Sequence, residues 1–328
     1  MNRFILTALL CLPYLANAAP PERLVIGAEG KKGVAIVDPA DNNKVLWHHP
    51  IGAVHDLHLL PGNRILTQDG WAKIIEVNLK KKVVWEYDAT KTNRGENDGK
   101  VEIHAYQRLE GGSTMIVESG PGRIIEVTPE KEIIKELPLQ VSSPSPHSDT
   151  RLVRQLENGN YLVAHENDQM VKEYNPEGKV IWEFPVPLFG KDPAKGHGPE
   201  AFGGKCFAAV KAKNGNYLIA TGNGHSIIEV TPEKEVVWKL GQNELDGIAL
   251  AWVTTIEELK NGNLRIGNCH AGPDNPQIIE ITREKKVVWT FHDFQTFGNA
   301  LANTLVIDGK RAERLRTALA KLGSEASQ

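Results

Sequence analysis

One pattern recurs along this chain and leaves few folds open to it. "NGNYLVAHENDQMVKEYNPEGKVIWEF", residues 158–184, is echoed by "NGNYLIATGNGHSIIEVTPEKEVVWKL", residues 214–240. Its final segment, two apolar residues and a tryptophan, returns as KVLW at Trp47, KVVW at Trp85, KVIW at Trp182, EVVW at Trp238 and KVVW at Trp289. A further unit reads EIIKEL, with Lys135 where tryptophan would sit. Ahead of that segment comes IIEV at 74–77, 124–127 and 227–230, IIEI at 278–281 and the variant VKEY at 171–174. Earlier still is a turn: PGN at Pro61, EGGS at Glu110, and NGN at Asn158, Asn214 and Asn261. Asn-Gly favours a hairpin because both residues tolerate positive φ. Short β-branched runs bounded by turns are strands. Each unit therefore reads strand, turn, strand, loop, strand, turn, strand, and four antiparallel strands per ~40–50 residues is the pattern of a β-propeller.

The first unit lacks one strand. "ERLVIGAEGKKGVAIVDPADNNKVLW" supplies the last three, while "ALANTLVIDGK" at 300–310 has the spacing of a first strand and its turn. The C-terminal strand is expected to complete blade one and close the ring. Counting tryptophans, with Lys135 in one place, gives an all-β, six-bladed propeller over residues 19–310. A C-terminal helix and tail at 311–328 presents Leu315, Ala318, Leu319 and Leu322 on one face, as a cap over one side of the disc. The repeated tryptophans are expected to pack against the neighbouring blade.

Residues 1–18 carry Arg3, an apolar run at 4–15 and then Ala16-Asn17-Ala18. That is the order of a secretory signal cut after Ala18, and the run is shorter than the ~20 apolar residues of a membrane span. The mature chain is expected in the periplasm or outside the cell. Past the leader only Cys206 and Cys269 remain, too few for a disulfide framework, although a single Cys206–Cys269 pair stays open. The 38 Lys and Arg against 41 Asp and Glu are mixed along the chain. That balance argues against nucleic acid or an anionic membrane surface as partner. A monomer is expected.

The LxNGN…IIEVTPEKEVVW units resemble those of secreted bacterial propellers described as PQQ-like or arylsulfotransferase-like, over nearly the whole mature chain. These motifs build blades, so the resemblance implies a fold more than a reaction. Quinoprotein dehydrogenases imply larger, eight-bladed rings with a cofactor-binding tryptophan stack and a calcium site. Six units with blade-packing tryptophans depart from that, so PQQ is not expected, nor any other cofactor. Arylsulfotransferases of this kind imply His and Arg on the funnel of a six-bladed ring. The blade count fits, but no complete catalytic set is matched here.

Counting back from each hairpin turn places His55, His104, Arg151, Phe207 and Thr254 at the starts of first strands. Counting forward places Gln68, Glu118, His165, Thr221 and Asn268 at the ends of second strands, on the same face. The ligand-binding set expected from this is His55, His104, Glu118, Arg151, His165, Thr221 and Asn268. It would hold a small polar, anionic ligand or a protein partner, with Glu118 pairing one of the cations. For the second-strand residues, strand ends meeting water explain the polarity equally well. An enzyme remains the alternative, either sulfotransferase-like or an ester or lactone hydrolase. There His would act as nucleophile or base and Arg would hold an anionic group. His225, Cys269 and His270 lie in second-to-third-strand loops of the same face, but their spacing matches no metal motif. With His165 they are the candidates for a zinc or copper site, to which imidazole and thiolate are suited, but none is assigned. "KGHGPEAFGGK" at 195–205 is a long insertion that reads as a lid or rim contact, and "ATKTNRGENDGK" at 89–100 is a similar one. Neither GxSxG nor HExxH occurs.

Overall fold

The computed structural model describes residues 22–29, 32–91 and 100–325; the expected leader and residues 92–99 of the second insertion lie outside these. The described residues form six four-stranded antiparallel sheets. Blades two to six each take four consecutive strands, as in blade four with Val153–Gln155, Tyr161–His165, Met170–Tyr174 and Val180–Pro185. In blade one, Asn303–Asp308 pairs with Arg23–Glu29, in register from Arg23↔Asp308 to Ala28↔Asn303. The ring thus closes through the C-terminal strand, as the missing strand required.

The repeated residues latch the blades together. The indole N–H groups of Trp47, Trp85, Trp182 and Trp238 donate to Leu79 O, Pro129 O, Pro232 O and Arg283 O, at 2.9, 2.9, 3.0 and 2.9 Å. Each acceptor lies in the third-to-fourth-strand turn of the next blade. Lys135, standing where a tryptophan would, holds its ammonium 5.3 Å from the Tyr161 ring of blade four, a cation–π contact in place of the indole bond. The glutamate of IIEV sits opposite the tryptophan, as in Glu173↔Trp182 and Glu229↔Trp238. These glutamates are buried, and the turn asparagines satisfy them: Asn160 donates to Glu173 at 2.5 Å, Asn214 and Asn216 to Glu229 at 2.7 Å each. Buried carboxylates without such partners would cost several kcal/mol.

First strands of neighbouring blades meet around the axis. There the fully buried Asp56 carboxylate of blade two binds both terminal nitrogens of Arg154 from blade four at 2.7 Å. It also accepts from Tyr106 N of blade three at 3.1 Å and from Asn303 Nδ2 of blade one at 3.1 Å. The C-terminal helix, Lys310–Glu325, buries Ala312, Leu315 and Leu319 against blade one. Arg311 donates to Leu59 O at 2.8 Å, beside the hairpin turn of blade two, so the helix covers the face opposite the first-strand starts. Among the described residues no helix is long and apolar enough to cross a membrane.

Candidate functional site at the funnel mouth

Where the first strands begin, the ring opens into a cavity of about 920 Å³. His55, Arg151, Phe207 and Thr254 line it, joined by Ala302 from blade one. His104 is fully buried just behind them. Two of these positions depend on β-bulges. Pairing in blade three skips His104, between Ile103↔Glu118 and Ala105↔Val117. Pairing in blade six shifts between Val253 and Ile256, which places Thr254 in the irregular stretch. A bulge bends the strand and re-aims a side chain, here toward the axis.

Three blades contribute to one cluster. Arg151 Nη1 lies 3.2 Å from both His55 Nδ1 and His104 Nδ1, and these two imidazole atoms contact each other. Arg151 Nε donates to Glu166, whose other oxygen is 3.6 Å from Lys205 Nζ, and the guanidinium stands 5.3 Å from the Phe207 ring. Hydrogen bonding fixes the tautomers. His104 Nε2 faces two acceptors, Pro146 O at 3.1 Å and Glu102 Oε2 at 3.3 Å, so it carries a proton. Its Nδ1 then accepts, and His55 Nδ1 must donate to it. That leaves His55 Nε2 unprotonated and without a partner among the described residues. Burial and the neighbouring Arg151 hold both histidines neutral near pH 7: His55 falls well below its ordinary value, and His104 falls to about 4 despite Glu102. Burial opposes ionisation of Glu102, but hydrogen bonds from His104 and His147 outweigh it and bring its carboxyl down to about 2. Gln68 positions the pair, accepting from His55 N at 2.5 Å and donating to Ile103 O beside His104.

The strand count alone does not find the loop residues that complete the mouth. Trp71 brings its ring 5.0 Å from His147 and 5.2 Å from His55. His147 sits on a turn before blade four that Asp149 pins, by accepting from Gly120 N at 2.7 Å and from Ser145 N. The 195–205 insertion forms the opposite wall. His197 stacks on Trp252 with ring centroids 5.9 Å apart, while Gln242 donates to Pro199 O at 2.7 Å and holds the insertion down. Trp252 Nε1 and Thr254 Oγ1, both on residues lining the cavity, are buried and have no hydrogen-bond partner among the described residues.

Gln68 apart, the second-strand residues do not join this cluster. Glu118 accepts from Arg123 Nε at 2.8 Å and Tyr87 O–H at 3.1 Å, not from Arg151 or a funnel histidine. His165 donates from Nδ1 to Asp149 O at 3.1 Å and accepts at Nε2 from Tyr174 O–H at 2.9 Å; burial, then Lys172, bring it to about 4. Thr221 closes a local ring with Ser226 O and Ser226 N at 2.9 and 3.0 Å. Asn268 spends its amide on Ala249 O, Pro276 O and Ala251 N, at 3.1, 3.1 and 2.7 Å. One layer out from the axis, polar strand ends tie down their own loops. His225 does likewise: its Nδ1 accepts from Trp252 N at 3.1 Å and its Nε2 donates to Ala201 O, so it has no lone pair left for a metal. Cys269 and His270 line the cavity. Burial lifts the Cys269 thiol to about 12, and Cys206 is buried beside His165 O and Met170 O, at 3.5 and 3.4 Å. Both thiols are free, and the Cys206–Cys269 disulfide is not formed.

Fold and site together define a six-bladed propeller with one ligand-sized funnel mouth built from the starts of its first strands. The chain belongs to the Mal s 1 allergenic protein-like family, whose model matches residues 71–268. Among solved structures, a Bacteroides caccae protein of unknown function is similar at 22% identity and TM-score 0.71, over 88% of this chain and 99% of that one. A streptogramin B lyase is similar at 13% identity and TM-score 0.56, over 89% and 96%. A catalytically inactive histidine-to-alanine form of virginiamycin B lyase from Staphylococcus aureus, with quinupristin, is similar at 12% identity and TM-score 0.55, over 87% and 88%. At such identities the likeness speaks for the fold alone. No curated protein sequence matches the chain.

Proposed function

We propose that the chain is a monomeric protein of the periplasm or cell exterior. Its funnel mouth binds a small polar molecule bearing acceptor oxygens, such as an ester, a lactone or a carboxylate. One observation carries this reading: Trp252 and Thr254 line the cavity, and their buried Nε1 and Oγ1 have no hydrogen-bond partner among the described residues. A buried donor left unsatisfied costs ~1–3 kcal/mol, which a ligand oxygen would return. Trp71, Phe207 and Trp252 add apolar surface around those donors, the usual make-up of a small-molecule site. Glu166 takes Arg151 and approaches Lys205. The mouth is therefore less cationic than Arg151 alone implied, and neutral oxygens fit it as well as anions. The test is calorimetric titration of the mature chain against sugars, lactones, aryl esters, carboxylates and aryl sulfates. Thr254→Val and Trp252→Phe should each weaken the best binder roughly 2- to 12-fold, the net worth of one hydrogen bond. Glu118→Gln should not. Undiminished binding by both funnel variants would refute the assignment.

A second reading is favoured by the unprotonated His55 Nε2. Glu102, His104 and His55 form a hydrogen-bonded chain that orients this atom as a proton acceptor beside Arg151, the arrangement of a general base. A virginiamycin B lyase similar in fold is catalytically inactive in a histidine-to-alanine form, which supports this reading. On this reading the chain opens an ester or lactone. His55→Gln would then abolish turnover of aryl esters or lactones while keeping the affinity of the wild type.

A further inference from the structure

We propose that Glu102, His104 and His147 form a binding site for a divalent first-row metal ion, zinc foremost, at the rim of the funnel. The three residues offer one carboxylate oxygen and two imidazole nitrogens, all within 4.8 Å of one another. Glu102 Oε2 lies 3.3 Å from His104 Nε2 and 2.8 Å from His147 Nδ1. Metal–ligand bonds of ~2.0–2.1 Å at tetrahedral angles place neighbouring ligand atoms ~3.3 Å apart; the two Glu102 contacts are near that spacing, and the two imidazole nitrogens, within 4.8 Å of each other, draw together around the ion. Two histidines and a glutamate form a recurring three-ligand set for zinc, which leaves a fourth position open.

The surroundings are built for it. His104 is fully buried at a β-bulge, and Glu102 is the strand residue two before it. His147 sits on the turn pinned by Asp149. Ligands held this way need little reordering when the ion arrives. Trp71 packs edge-on against His104 and His147, at centroid distances of 5.9 and 5.0 Å, and shields the site. Arg151, close to the other nitrogen of His104, is neutralised by Glu166. At present His104 Nε2 holds its proton between Glu102 and Pro146 O. A metal there moves that proton to Nδ1, which then donates to His55 Nδ1, and His55 shifts its own proton from Nδ1 to Nε2. Metal-bound histidines commonly donate their second N–H to such an outer partner. Sequence spacing does not expose the site, because its ligands come from one strand and from a loop about forty residues further on, outside any blade motif.

The experiment is titration of the metal-stripped chain with zinc chloride alone by calorimetry, together with the visible spectrum after adding cobalt(II). The expected result is one zinc per chain and the absorption of tetrahedrally bound cobalt. Glu102→Gln and His147→Asn should each weaken zinc by about 100-fold or more, since even outer-shell losses cost 10- to 100-fold. Both side chains reach the surface, at 22% and 54% exposure, so the variants should melt like the metal-free wild type. No zinc uptake by the wild type overturns the proposal. So does uptake undiminished in both variants, and so does cobalt bound without a tetrahedral spectrum. If one variant fails to fold, the other and the wild-type cobalt spectrum still decide.

Discussion

Replacing Arg154 by methionine should destabilise the whole ring, because among the described residues Arg154 alone pairs the Asp56 carboxylate with a cation fixed in its charged form. Both carboxylate oxygens of Asp56 face Arg154 nitrogens at 2.7 Å, and Asp56 is fully buried. His58 approaches it at 3.3 Å but is charged only when protonated. Backbone and amide donors from Leu57, Tyr106 and Asn303 remain in the variant, but they carry no net charge. Removing one member of a buried ion pair costs ~3–5 kcal/mol, since the other charge stays desolvated. For a chain this long, roughly 2 °C per kcal/mol makes that about 6–10 °C in Tm. Burial opposes ionisation of Asp56, yet Arg154 and His58 hold its carboxyl far below the usual range. A depressed carboxyl contributes stability above its unfolded pKa of ~3.9, and that contribution is lost as pH falls toward the folded value. The gap between wild type and Arg154→Met should therefore be full at pH 7 and narrow below pH ~4. Urea unfolding at several pH values measures it. A gap under about 1 kcal/mol at pH 7, or one that does not narrow in acid, would refute the argument.

Two further predictions concern the blades. Trp182→Ala should cost ~3–5 kcal/mol, because Trp182 is buried and stacks on Tyr217 with centroids 3.6 Å apart; the half-exposed Trp238 should cost roughly half that by urea denaturation. Truncation before Asn299 removes the strand Asn303–Asp308 and the helix that follows, and should unravel blade one; a truncated chain melting like the untruncated one would remove the closure argument.

The blades were legible because each repeat marks its own turns and strand ends. The Asn-Gly turns and the IIEV glutamates bond each other, and Trp47, Trp85, Trp182 and Trp238 bond the next turn. Counting along strands also brought out His55, Arg151, Phe207 and Thr254, because a strand has a fixed register from its hairpin. At the second strands the same count reaches Gln68, which holds His55, and four residues that bond to their surroundings outside the cluster. Polar side chains such as Glu118 and His165 mark strand ends whether they face a ligand or hold a neighbouring loop. Trp71, His147, Glu166 and Trp252 escaped notice because they stand in loops or connections, where no period ties a residue to a place in space. The charge of Arg151 was legible, but its compensation by Glu166 depends on contact between residues fifteen apart.

The most direct test of the funnel assignment is a crystal structure of the protein with the tightest compound from the binding panel. The account predicts that compound in the cavity at the first-strand starts, with an oxygen in hydrogen-bonding distance of Trp252 Nε1 or Thr254 Oγ1 and another polar atom near His55 Nε2. A compound bound on the helix-capped face, or at the rim without touching any of these three atoms, would contradict it.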